Sequence, residues 1–132
     1  MNRILPFVLL AALSATPLAA KPLVVATGES WIFSIERGQP AKARRVAPTA
    51  KPRPGEMQVS VRAMMGTTMT ISSNNKRAYT FRAELIGAGT AIQARSCTLP
   101  ANGRPALESW PQAASAVRLS NFKPAAAAGS CP

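Results

Sequence analysis

Alternation with a period of two runs through most of this chain, and it leaves little room for anything but β-structure. Trp31, Phe33 and Ile35 alternate with Ile32, Ser34 and Glu36. Met57, Val59, Val61 and Ala63 alternate with Gln58, Ser60 and Arg62. Tyr79, Phe81, Ala83 and Leu85 alternate with Thr80, Arg82 and Glu84. Successive side chains of a strand point to opposite faces, so each segment reads as a strand with one face turned inward. Trp31, Phe33 and Ile35 are the inward set of the first.

Turn chemistry punctuates these segments. Residues 37–40 read Arg-Gly-Gln-Pro, residues 65–67 Met-Gly-Thr, residues 74–76 Asn-Asn-Lys, and Asn102-Gly103 lies within a loop spanning 100–105. Gly and Asn tolerate positive φ, and Pro cannot donate to a ladder. Further strands are expected over 68–72, 91–97 and 116–122, the last with Val117 and Leu119 inward. Residues 41–46 are placed to pair with the Trp31 strand as a hairpin. Trp110-Pro111 reads as irregular, and residues 124–129 as an Ala-rich tail. Six to eight short strands with no helix imply an all-β fold. The expectation is a small antiparallel β-sandwich, immunoglobulin-like in the loose architectural sense, or a small barrel. The antibody-domain arrangement of cysteines around a tryptophan is missing.

The first twenty residues stand apart. Arg3 is followed by an almost wholly apolar stretch over 4–13 and a small-residue stretch over 14–20. That is the order of an export signal, with cleavage expected after Ala20 and a poorer alternative after Ala26. About ten apolar residues are too few to span a bilayer, which takes about twenty. The expected layout is a signal peptide over 1–20 and one β domain over 21–132, periplasmic or extracellular, with no transmembrane segment. Cys97 and Cys131 are the two cysteines. In an oxidising compartment they are expected to form a disulfide, worth about 3–4 kcal/mol on the chain-entropy model.

The absences restrict chemistry. There is no His and no Asp, and the acids are Glu29, Glu36, Glu56, Glu84 and Glu108. A Ser-His-Asp or Cys-His system cannot be assembled, and the usual zinc, iron and calcium ligand sets fail. Ser120-Asn121-Phe122-Lys123 matches Ser-x-x-Lys, but it sits in a strand without the companion motifs of that enzyme class. The reading is therefore a non-enzymatic protein without a cofactor.

Charge is the feature that points to a partner. The chain has 16 basic residues and 5 acids. Removing residues 1–20 takes away Arg3 alone, leaving 15 against 5, a net +10. An exported domain of that charge is drawn to anionic surfaces: lipid headgroups, lipopolysaccharide, acidic glycans or nucleic acid. The densest cluster is Lys42, Arg44, Arg45, Lys51 and Arg53, in a basic, Pro-rich stretch over 42–54. Aromatic residues are not interleaved with it, which argues against specific reading of nucleic acid. Two other stretches point to different partners. Met57, Met65 and Met69 share one face of a regular hairpin, and thioethers bind Cu(I), which makes a copper carrier the alternative. The Trp110 loop offers a surface for another envelope protein, although Trp110 reads better as covering the core edge.

Overall fold

A computed structural model describes residues 20–87, 92–94 and 98–125. The described residues form nine strands and no helix. These are β1 (Leu23–Ala26), β2 (Ser30–Glu36), β3 (Gln39–Val46), β4 (Glu56–Ala63), β5 (Thr67–Ser73), β6 (Ala78–Ile86), β7 (Ile92–Ala94), β8 (Ala106–Trp110) and β9 (Ala116–Ala125). They build two antiparallel sheets, ordered β1-β9-β6-β7 and β3-β2-β4-β5-β8. The expected all-β architecture of two antiparallel sheets is what the chain adopts. The expected leader over 1–20 lies, but for Ala20, outside the described residues, as do both Cys97 and Cys131.

One apolar core joins the sheets. Val25, Phe81, Ala83, Leu85, Val117, Leu119 and Phe122 come from the four-stranded sheet. Phe33, Met57, Val59, Val61, Met69, Ile71 and Trp110 come from the other. Phe122 stands at the junction. Its ring stacks on Phe81 of its own sheet at 5.3 Å and 16°, and tilts against Phe33 of the facing sheet at 5.6 Å and 59°. Such pairs add to the burial energy of the rings themselves. The Phe122 amide also donates to the Gly38 carbonyl at 2.7 Å, fastening β9 to the β2–β3 turn.

Several details depart from the alternation read in the sequence. In β2 the large apolar residues that end up buried are Ile32 and Phe33, whereas Trp31 and Ile35 are half-buried. Ile32 pairs with Gln58 and so faces away from the core, on the outer side of the sheet. The Pro-rich loop after β3 folds back over that side. Gln58 Nε2 donates to the Pro48 carbonyl at 3.5 Å, and Asn74 Nδ2 to the Pro52 carbonyl at 3.0 Å. On the same side Arg44 of β3, opposite Ile32, clasps Glu56 of β4, opposite Ser34, so their side chains cross β2 and screen Ile32 from water. The β2–β3 ladder slips between Ile32 and Ser34, where β3 carries an extra residue at a bulge and Lys42 takes φ 52°.

Two strands lie outside the sequence expectation. β1 places Val25 in the core opposite Val117. β8, expected as irregular chain, pairs along β5 with Thr67 opposite Trp110 and Ile71 opposite Ala106. Its composition, Ala-Leu-Glu-Ser-Trp, has no β-branched residue, so propensity does not announce it. β9 also continues through Pro124 to Ala125, three residues beyond the expected end. The proline is tolerated because β1 accompanies β9 only from Ala116 to Leu119, leaving the Pro124 nitrogen side unpaired. Gly66, at φ 113°, closes the β4–β5 hairpin against β8, and a Cβ there would run into the Trp110 carbonyl.

The junction at Phe122 yields a direct expectation. Phe122→Ala removes one buried ring that touches both sheets, and losses of about 3–5 kcal/mol are typical for such truncations. Urea denaturation should show a lower midpoint with an unchanged slope. A loss below about 1 kcal/mol would contradict the role given to this ring.

Candidate anion-binding surface

The five-residue basic cluster divides in two. Lys42, Arg44 and Arg45 lie on β3, at the edge of the five-stranded sheet, while Lys51 and Arg53 lie on the loop that follows. Each cation on β3 meets a glutamate. Arg44 clasps Glu56 with both guanidinium nitrogens, at 2.6 and 3.2 Å. Arg45 reaches Glu29 at 3.1 Å and Lys42 reaches Glu36 at 3.9 Å. The Arg44 clasp holds the Glu56 carboxyl below the ordinary glutamate range, helped by the Arg53 backbone amide at 2.8 Å. Glu29 is lowered mainly by the Trp31 indole N–H, then by the Ala26 amide, with Arg45 adding a smaller share. The β3 half of the cluster is thus largely balanced.

The loop half keeps its charge and gains company. Three loops meet at one end of the five-stranded sheet, those between β3 and β4, between β5 and β6, and before β8. They are laced by backbone. The Gly55 amide donates to Asn74 O at 2.7 Å, the Asn102 amide to Asn75 O at 2.9 Å, and the Gly103 amide to Ser73 O at 2.6 Å. Asn102 and Gly103 both take positive φ, 62° and 82°, the turn that this dipeptide favours. The lacing gathers Lys51, Arg53, Lys76, Arg77 and Arg104, all exposed. Among the described residues none of these five has a carboxylate within ion-pair distance; Arg53 feels the charge of Glu56 at the start of β4, but that carboxylate is already clasped by Arg44. Sequence reasoning found Lys51 and Arg53. It missed Lys76, Arg77 and Arg104 because they come from distant stretches that the hydrogen bonds between the loops draw together.

The remaining candidates are placed as follows. Met57 and Met69 are fully buried in the core, and Met65 is fully exposed at the hairpin tip. Met57 pairs with Ser73 and Met69 with Val61, four ladder steps apart, which is about 13 Å at the usual rise per residue. The three thioethers are not brought together. No cluster of three His, Cys, Asp or Glu that would suit a metal occurs among the described residues. Ser120 is buried within β9. Trp110 joins the core, and half-buried Glu108 sits two residues away on the same strand, opposite Met69. Among the described residues no helix is long and apolar enough to cross a membrane. The chain matches no known protein-family model, and neither curated proteins nor solved structures offer a significantly similar one.

On the other sheet, Glu84 lies directly across from Arg118, which grips it at 2.6 and 3.1 Å, with Arg82 at 3.7 Å. That grip lowers the Glu84 pKa, so its contribution is complete above the unfolded value and is lost as pH falls through the folded one. Glu84→Gln should therefore be less stable than the parent at pH 7 and equal to it near pH 2. Urea midpoints at the two pH values check this. A gap between parent and variant that persists at pH 2 would contradict the ion-pair account.

Proposed function

We propose that this chain is an exported, non-enzymatic binding module of the cell envelope that engages anionic polymers. One observation carries the reading. Five exposed cations from three interlocked loops, Lys51, Arg53, Lys76, Arg77 and Arg104, stand together with none of them in an ion pair among the described residues. Like charges held side by side cost stability unless a ligand uses them. Export is supported by the charged, apolar and small-residue order of the first twenty residues. Cleavage after Ala20 keeps β1 in the domain, whereas cleavage after Ala26 would discard the buried Val25. A Cys97–Cys131 disulfide fits the same compartment. The loosely immunoglobulin-like arrangement of sheets serves as a scaffold that presents loops at its end. A non-catalytic role agrees with a chain that has neither His nor Asp and ties Glu29, Glu36, Glu56 and Glu84 to cations.

Two charge-neutral variants separate the halves of the basic cluster. Replacing Lys51, Arg53, Lys76, Arg77 and Arg104 by Gln should abolish retention on heparin or on anionic vesicles at physiological salt. The salt slope of binding should fall by about one for each cation that contacted the polymer. Replacing Lys42, Arg44 and Arg45 by Gln should leave most of the retention and lower stability instead. Weak, equal retention of wild type and both variants would end the proposal.

A further inference from the structure

The outer face of the five-stranded sheet carries two depressions in line. The first, of about 380 Å³, is lined by Lys51, Pro52, Gln58, Ser72, Asn74 and Gly103. The second, of about 450 Å³, lies over Ser60, Arg62, Thr68, Thr70 and Ser109, with Pro48, Met64 and Leu107 at its borders. They lie over successive pairs of one ladder and adjoin where Gln58, lining the first, reaches the Pro48 carbonyl, lining the second, so that together they form a trough crossed by that bond. Gln58 pairs with Ser72, Ser60 with Thr70, and Arg62 with Thr68, three successive outward-facing pairs of the β4–β5 ladder. The floor widens onto β8, where Thr70 meets Leu107 and Thr68 meets Ser109. From the first pair to the third is about 13 Å at the usual rise per residue. The Pro-rich loop forms one wall, held by the Gln58–Pro48 and Asn74–Pro52 bonds.

The chemistry of the floor is specific. Lys51 stands at one end, beside the cationic loops, and Arg62 stands exposed at the other. Between them lie hydroxyls and an amide. Ser60 is shared with Ser30 at 2.6 Å, and Thr68 with Ser109 at 3.3 Å. The Thr70 and Ser72 hydroxyls make no hydrogen bond among the described residues. A hydroxyl both donates and accepts, which suits partners that are themselves rich in hydroxyls. No aromatic ring lines either depression. Phe33 and Trp110 of this sheet are buried on its opposite face, so the stacking platform that single-stranded nucleic acid uses is missing. A recessed floor between raised edges also suits a strand-like ligand better than a flat lipid surface.

From this geometry we infer that the trough over β4, β5 and β8 binds an extended acidic polysaccharide, its acid groups on Lys51 and Arg62 and its hydroxyls on Ser60, Thr70 and Ser72. This inference rests on the anion-binding reading and adds the ligand class and the path. The acid groups are carboxylate or sulfate, chemistries that the test distinguishes.

The test measures affinity by calorimetry for polygalacturonate oligomers, heparin oligomers, a neutral maltohexaose, oligo(dT) and anionic phosphatidylglycerol vesicles. Wild type should bind at least one acidic oligosaccharide at least tenfold more tightly than the neutral sugar, oligo(dT) or vesicles. Which acidic oligosaccharide binds tighter tells carboxylate from sulfate. The double variant Thr70→Ile, Ser72→Val keeps every charge and suits a strand. It should weaken that binding about tenfold, while elution from a sulfonate cation exchanger stays unchanged. Unchanged glycan affinity in this variant, or equal or tighter binding of oligo(dT), vesicles or the neutral sugar, overturns the trough while leaving charge-driven binding intact. No binding of wild type to any polyanion overturns the anion-binding reading itself. A circular-dichroism melt matching that of wild type shows that the variant is folded.

Discussion

The contact of Phe122 with Phe81 and Phe33 is the interaction on which the rest of the structure depends. A strand pair alone buries too little apolar surface to hold its shape in water, so two sheets have to close on each other. Phe122 sits where they do so, with one ring neighbour in each sheet. Its own backbone fixes the β2–β3 turn through Gly38, and the bulge beside it, at Asn121, receives Gln39 Nε2 at 3.0 Å. With the sheets closed, the outer face of the β3-β2-β4-β5-β8 sheet and the loops at its end take up a fixed relation to each other.

What these surfaces can do is set less by how many cations the chain has than by where its few acids go. Glu29, Glu36 and Glu56 are spent on the β3 edge, and Glu84 on Arg118 of the other sheet. The β3 cluster is the densest in sequence, yet its Arg44 is the most firmly neutralised cation of the group, clasped by two short bonds. The loop end has no such partner within ion-pair reach among the described residues. Exposed ion pairs contribute little to stability, a fraction of a kcal/mol in most cases. Their consequence here is the shape of the field: positive at the three-loop end, nearly balanced along β3.

Much of the fold is legible in the alternation. Met57, Val59 and Val61, or Phe81, Ala83 and Leu85, go to the core as their period of two dictates. The features that escape that reading have identifiable physical causes. Ile32 is buried on the outer side because Arg44 and Glu56 of the flanking strands clasp across β2 beside it, which no local pattern encodes. β8 has neither β-branched residues nor an alternation strong enough to stand out, and forms because β5 offers it an edge. β1 is four residues long, too short for its alternation to stand out. For the site, the local charge run revealed Lys51 and Arg53 but also drew attention to Arg44 and Arg45, whose glutamate partners come from other strands. Lys76, Arg77 and Arg104 are isolated in sequence, and only the hydrogen bonds between loops bring them beside Lys51 and Arg53.

The central claim is that the unbalanced charge of the three-loop end, and not the β3 edge, receives anionic ligands. Titrating isotope-labelled protein with a heparin hexasaccharide and following backbone amide shifts tests it most directly. The account predicts the largest shifts at residues 51–55, 74–77 and 102–104, with small shifts at 42–45. Dominant shifts along 42–45, with the three loops unmoved, would contradict it.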